Sequence, residues 1–538
     1  MAEKQSNEPE KASATDVRDV EAPSLASSSA KWVTSRKELW CFYLYYVGNN
    51  GLSGFNYGPS QFQNLLYLAG YDPAFPAYTQ PCGDGDCVLP YLGRIRDVNS
   101  IVLVTNGIAF ALQAVVLLVI GAWADYGTWR PNITIFFTIL AVAVSFAWLG
   151  VEDASNWKAG VALYILGLIA YQCSLTFWTA AFPGLARNVA EVVESAQEVE
   201  SDMKTEEEHA KFESLHRNRI SNISFAVCSV GEIVILAIMV GILKGLKSDQ
   251  STENNTKSFS VLIAFSGGVW LLCALPWFIF EKRRPGLALP PGTSFLTVGL
   301  KQTYVAFREC MKLKQTFLYL IFYFLMGDVL NTTVTVIGTL QNSVVSYSTL
   351  QLTYLLIVGI ATQAAGIYMF WFVQKRYRLS TKTMLLFVVF WILVLTIWGL
   401  AGVHSDKIGF KHVGEIWAYQ AFYGLMVCPW YAYSQTMIAE VSPLPQMFLF
   451  FALFSVIGKT SAFIGPFVSE AIITASGNNN NMPFAFLFGL GCFSAIFLFF
   501  VDMDKSRKEC DAFVNAEARR DAFAADSAPV VAVIEKSG

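Results

Sequence analysis

Runs of some twenty apolar residues recur along this chain, more than any soluble core could bury. A helix needs ~20 mainly apolar residues to cross ~30 Å of hydrocarbon. Twelve stretches qualify, centred near residues 48, 112, 140, 170, 232, 269, 327, 361, 393, 425, 459 and 492. They explain why 54% of the 538 residues are hydrophobic and only 15% charged. A net charge of -3, with no basic stripe interleaved with aromatics, offers nothing to nucleic acid. The chain reads as an all-α membrane protein.

Three of these segments carry a charge at depth. Lys459 lies near the middle of the stretch from Met447 to Ala471, Glu232 in that from Ile220 to Leu243, and Asp328 in that from Thr316 to Ile337. A charge at the bilayer centre costs from ~3 to over ~10 kcal/mol, so each must face protein or water. Intramembrane charges of both signs mark a path for a polar or charged solute, with proton coupling open to a carboxylate. Asp328 has polar neighbours in Asn331, Thr332, Thr333 and Thr335. A fixed ion pair tying helices together is the structural alternative. Asn49, Asn50, Gly51, Gly54, Asn56, Tyr57, Gly58 and Pro59 interrupt the first segment. Freed backbone is tolerated at that depth only beside protein or a water-filled cavity, so this segment is expected to line one. Asn49, Asn50, Asn56, Tyr57, Gln172, Asn331 and Tyr433 are the candidate hydrogen-bonding groups for a small polar substrate, each with helix packing as its plainer reading.

Basic residues set the orientation. With the amino terminus in the cytosol, the loops on that side hold clusters such as Lys282-Arg283-Arg284 and Lys375-Arg376 with Arg378, whereas the opposite loops hold few. The positive-inside rule then places both termini in the cytosol and requires an even number of spans. Residues 1–34, rich in Ser, Ala, Glu and Pro, read as a disordered cytosolic tail without the apolar region of a signal peptide. Among far-side features, Asn254-Asn255-Thr256 is a glycosylation sequon. Cys82 and Cys87 flank Gly83-Asp84-Gly85-Asp86, where an oxidising compartment allows a disulfide. Too few ligands follow for calcium, and no metal or other cofactor is expected.

The spans divide into a first six-helix bundle (35–280), a basic linker (281–314), a second bundle (315–503) and a tail (504–538). Parallel halves with a site between them describe the major-facilitator architecture. Segment 188–218, Glu-rich and free of Pro and Gly, reads as a solvated cytosolic helix. The turn from Gly121 to Arg130 resembles the major-facilitator loop motif, with Asp125 and Arg130 as gate residues; a tight turn capped by an Asp is the alternative.

From the tenth segment on, the chain carries Tyr423-Gly424-Leu425, Pro429, Tyr433-Ser434, Ala439-Glu440, Pro443, Phe450-Phe451, Gly458-Lys459, Ser461 and Gly465-Pro466. This order resembles the autophagy-related protein 22 family, and Cys87-Val88-Leu89, Leu185-Ala186-Arg187 and Tyr323-Phe324-Leu325 with Asp328 agree with it. The resemblance spans about residues 37 to 505. It implies a vacuolar, multi-pass carrier that exports amino acids from lumen to cytosol after autophagic breakdown, in support of survival under nitrogen starvation. Asn49-Asn50-Gly51 stands where the family has Ser-Glu-Pro, Gln435 where it has Arg, and Met447 where it has an acid, the pattern of a divergent paralogue. A permease for another small polar metabolite, or a sensor that kept the carrier fold without transport, are the alternatives. No HExxH, Gly-x-Ser-x-Gly or phosphate-loop pattern points to an enzyme.

Overall fold

The computed structural model describes residues 32–526, apart from 83–86, 121–127, 285–300, 302–303, 306, 444–449, 451–452, 455 and 459–461. Lys459 and Asp125 therefore lie outside the described residues. Among the described residues, nine helices are long and apolar enough to cross a membrane. In the first half these run within α3 (Val98–Ile120), α4 (Arg130–Ala147), α5 (Trp157–Thr179), α8 (Glu206–Leu246) and α9 (Thr252–Phe280). In the second half they are α10 (Lys314–Val344), α11 (Thr349–Tyr377), α12 (Thr381–Ala401) and α16 (Pro483–Phe500). Side-chain oxygens start several of them: Ser251, Ser348 and Ser380 each accept a backbone N–H of the first turn, which satisfies a donor the helix cannot.

Three further apolar segments are interrupted helices. The first runs through α1 (Arg36–Gly48), a π-helical turn (Leu52–Tyr57) and α2 (Gly58–Ala69). Its break has a local cause, since Gly51 adopts φ 92°, open to glycine without a Cβ penalty, and Asn50 Oδ1 accepts the Leu52 N–H at 2.9 Å. The tenth runs through α13 (Val413–Phe422), a π-helical turn (Tyr423–Val427) and α14 (Trp430–Val441), with N–H-less Pro429 at the junction. The eleventh resumes as α15 (Ile464–Ala475), whose Pro466 sits in the first turn, where a missing N–H costs nothing. Freed backbone at these three places is what a membrane tolerates only against protein or a cavity.

Helices α1, α4, α5 and α9 pack together in the first bundle, and α10, α12 and α16 in the second. Stacked aromatics fill the first: Phe42 lies 4.3 Å from Trp178 between ring centroids and 5.4 Å from Trp277. Each bundle begins and ends on one face, here the terminal face. Arg284, just past α9, grips both Glu38 oxygens of α1 at 2.7 and 2.9 Å, and Arg130 donates to Glu281 at 2.7 Å. In the second bundle, Glu509 of α17 (Met503–Asp526) accepts the Gln315 N–H at the start of α10, at 3.0 Å. After a short α6 (Phe182–Arg187), segment 188–218 folds as a hairpin of α7 (Ala190–Glu200) against the first part of α8, with Lys204 and His209 both on Ser195, at 2.7 and 3.0 Å. Helix α8 runs unbroken from that hairpin into the membrane span.

The opposite face carries the disulfide Cys82–Cys87 and an antiparallel hairpin of β1 (Val88–Tyr91) and β2 (Arg94–Asp97). On this disulfide face the halves close on each other. Asn342 donates to Gln63 at 2.8 Å and accepts from Ser60 at 3.1 Å, Gln63 donates to the Thr339 carbonyl at 3.1 Å, and Asn255 bonds both Tyr347 and Thr349.

Candidate substrate pathway

Tyrosines flank the breaks in the first and the tenth segments. Tyr171 of α5 packs against the first break, where a Cβ on Gly51 would lie 2.9 Å from its hydroxyl. In the other half, Tyr431 of α14 shares a hydrogen bond with Tyr423 of the tenth break at 3.1 Å and is exposed. Tyr323 of α10 stacks on Trp430 at 6.2 Å and lies against Gly458, the last described residue before the eleventh break.

Two carboxylates border this region. Glu232 of α8 is half-buried, one turn from Cys228, whose thiol donates to the Tyr46 carbonyl of α1 at 3.4 Å. Its neighbour Gly231 packs directly on Val47 of α1, and a side chain there would collide. Asp328 is buried at the eleventh break. Its Oδ1 accepts the Gly465 N–H at 3.1 Å and the Thr332 hydroxyl at 3.3 Å. The first turn of α15 presents N–H groups with no partner in their own helix and a positive dipole end, both of which favour a carboxylate. A side chain from α10 thus holds the restart of a broken helix.

The other sequence candidates scatter. Asn49 is buried and donates to Ser174 inside the first bundle at 3.4 Å, while Asn50 and Asn56 bond backbone of their own break. Tyr57 crosses between the halves to Thr353 at 2.7 Å. Gln172 is buried on α5, and Asn331 lies on α10 one turn from Asp328. Tyr433 donates to Gln374 in the last turn of α11 at 3.0 Å. Arg130 pairs with Glu281 inside the first bundle. Asn254 sits in the first turn of α9, donating to the Lys247 carbonyl at 3.3 Å, and Thr256 of its sequon is buried with its hydroxyl bonded to Asn64. A void of about 10 Å³, room for one water, lies inside the first bundle between Ser53, Gly54, Ser145, Tyr171 and Trp270 rather than between the halves.

Sequence reasoning missed Tyr171, Tyr423 and Tyr431. Each sits in an apolar run where a tyrosine reads as core, and no local signal separates them from their neighbours. It also missed Asn106, which accepts from Tyr164 at 3.1 Å and donates across to Thr335 at 3.3 Å.

On the terminal face, burial pushes the Glu281 carboxyl up to about 7, overriding the pull of Arg130.

Comparison with known proteins gives this geometry a context. Residues 34–511 match the family model described as "Vacuole effluxer Atg22 like". The chain is 24% identical over 469 residues to autophagy-related protein 22-1 of Phaeosphaeria nodorum, covering 81% of this chain and 82% of that one. It is 21% identical over 483 residues to autophagy-related protein 22 of Saccharomyces cerevisiae, covering 84% and 88%. Among solved structures it resembles the partially occluded inward-open xylose transporter XylE from E. coli, with a TM-score of 0.53 at 10% identity over 87% of this chain and all of that one. A POT family transporter in complex with 5-aminolevulinic acid gives a TM-score of 0.52 at 10% identity over 87% and 96%. The fold is the major-facilitator type, and the molecule is a multi-pass membrane transporter.

Proposed function

We propose that this chain, which belongs to the Atg22-like vacuole effluxer family, carries amino acids from the vacuole lumen to the cytosol by alternating access. The observation that carries the reading is the set of three interrupted helices, with Tyr171 packed on the first break, Tyr423 and Tyr431 hydrogen-bonded at the tenth and Asp328 holding the restart of the eleventh. Broken helices at a bundle interface are how carriers bind zwitterions and ions at the midplane: exposed N–H ends take carboxylates, and freed carbonyls and acidic side chains take cations. In this reading the disulfide face is lumenal and the terminal face cytosolic, as the basic residues of the terminal face favour. Glu232 is the partner for a substrate ammonium or a coupled proton, and the tyrosine hydroxyls orient the substrate. Asp328 at the eleventh break and, from its place in the sequence, Lys459 are the coupling candidates, since a buried charge changes partners at high cost unless a solute replaces one.

Purified protein in liposomes, loaded with a mixture of radiolabelled amino acids, tests this. Efflux through the protein that Glu232→Gln abolishes supports it; no protein-dependent flux of any amino acid, with or without a proton gradient, refutes it.

A further inference from the structure

We propose that the disulfide-stapled hairpin is the bolt of the disulfide face and that Arg96 is the positioning residue that engages it, by reaching across to Glu470 of the other half. This deepens the carrier reading and rests on it only for its meaning in a transport cycle. The contact itself is structural: Arg96 Nη1 is hydrogen-bonded to the Glu470 carboxylate. Among the described residues it is the one ion pair that joins the two bundles. The other contacts that close this face, through Ser60, Gln63, Asn342, Asn255 and Thr349, are neutral.

The hairpin is built as a rigid extension of the first bundle. Tyr71 and Val88 exchange two backbone hydrogen bonds at 3.1 and 3.0 Å, Val98 donates to the Cys87 carbonyl at 3.0 Å, and the Tyr91 hydroxyl bonds Thr105 of α3 at 2.9 Å. The disulfide closes the loop beneath it, where Gly70 leaves room for both sulfurs. Its two-residue tip, Leu92 and Gly93, has positive φ at both positions, the turn geometry that matches strand twist. In the register of the pair, Arg96 stands opposite Leu89, so the two share a face, and Leu89 is fully buried. The strand pairing therefore aims Arg96 inward, at the second bundle.

What it meets there is the short helix α15. Gly465 in its first turn is held by Asp328 from its own bundle, and Glu470, five residues on, is held by Arg96 from the other. Between them Phe467 lies against Gly107 of α3, where any side chain would collide. Separating the bundles on this face must pull α15 off α3 and Arg96 off Glu470. The pair is built to release: its side chains keep 19% and 15% of their accessibility, and Arg96 Nε is buried without a hydrogen-bond partner. Water regained on opening offsets the lost contact, as it does for partly buried ion pairs.

The test is hydrogen exchange by mass spectrometry on the full-length protein in nanodiscs, without substrate. Arg96→Gln and Glu470→Gln are each expected to raise exchange in α2 and α15 by about tenfold, and the Arg96→Glu/Glu470→Arg swap to bring it back toward wild type. Arg96→Lys, which keeps charge but loses the fork, is the conservative check on folding and should fall between. Unchanged exchange in both single variants, a rise confined to residues 88–97, or a swap no better than the single variants would each overturn the proposal. Because no transport is measured, its failure is distinct from failure of the carrier reading.

Discussion

The carboxylate of Asp328 accepts the backbone N–H of Gly465 across 137 residues of sequence, so one helix supplies the cap of another. A Cβ on Gly465 would fall 2.8 Å from Asp328 Oδ1 and into Thr332. Gly465→Ala should therefore destabilise by about 1–3 kcal/mol, the usual cost of overpacking. Asp328→Asn keeps the shape and one acceptor and should cost only about 1 kcal/mol, as for a lost cap. Thermal unfolding in detergent reads both, and a Gly465→Ala variant that melts at the wild-type temperature would contradict this geometry.

Glu232 is expected to trade stability for function. A carboxylate among apolar helices is costly, so Glu232→Gln should leave the melting temperature unchanged or raised while cutting flux by about tenfold or more. A variant that melts early yet transports normally would make Glu232 a structural residue.

Tyr431 is exposed and, among the described residues, bonded only to the Tyr423 hydroxyl, so removing its own hydroxyl leaves little buried polarity unpaired. Tyr431→Phe should change stability by less than about 0.5 kcal/mol and raise the KM for efflux several-fold. Wild-type KM for every transported solute would place the substrate elsewhere.

Stability should depend on pH through Glu281. Its carboxyl titrates near 7 in the fold against 4.5 for an unperturbed glutamic acid, so the folded state binds the proton more tightly than the unfolded one. That contribution is complete below about pH 4.5 and is lost as pH rises through about 7. Melting curves between about pH 5 and about pH 8 should show the decline, and Glu281→Gln should flatten it.

The α7–α8 hairpin separates carrier from sensor. Its His209–Ser195–Lys204 contacts hold the hairpin together and involve none of the candidate pathway residues. Replacing residues 190–204 by a flexible linker should leave flux within about twofold of wild type. Loss of the starvation phenotype with flux intact would favour the sensor reading.

Much of this molecule was legible before any coordinates. Apolar runs of spanning length fix which segments enter the bilayer, because hydrophobic transfer and backbone hydrogen bonding act over one helix at a time. The break at Asn50-Gly51 was legible for the same reason, since its causes are local. Tertiary structure alone decided the partners. Nothing near Arg96 names Glu470, 374 residues away, and nothing near Asp328 names Gly465. Helical periodicity says which face is polar but not which helix will stand opposite it. That choice is made by the packing of whole bundles, through close approaches such as Gly107 on Phe467, and packing is a property of surfaces assembled from distant parts of the chain.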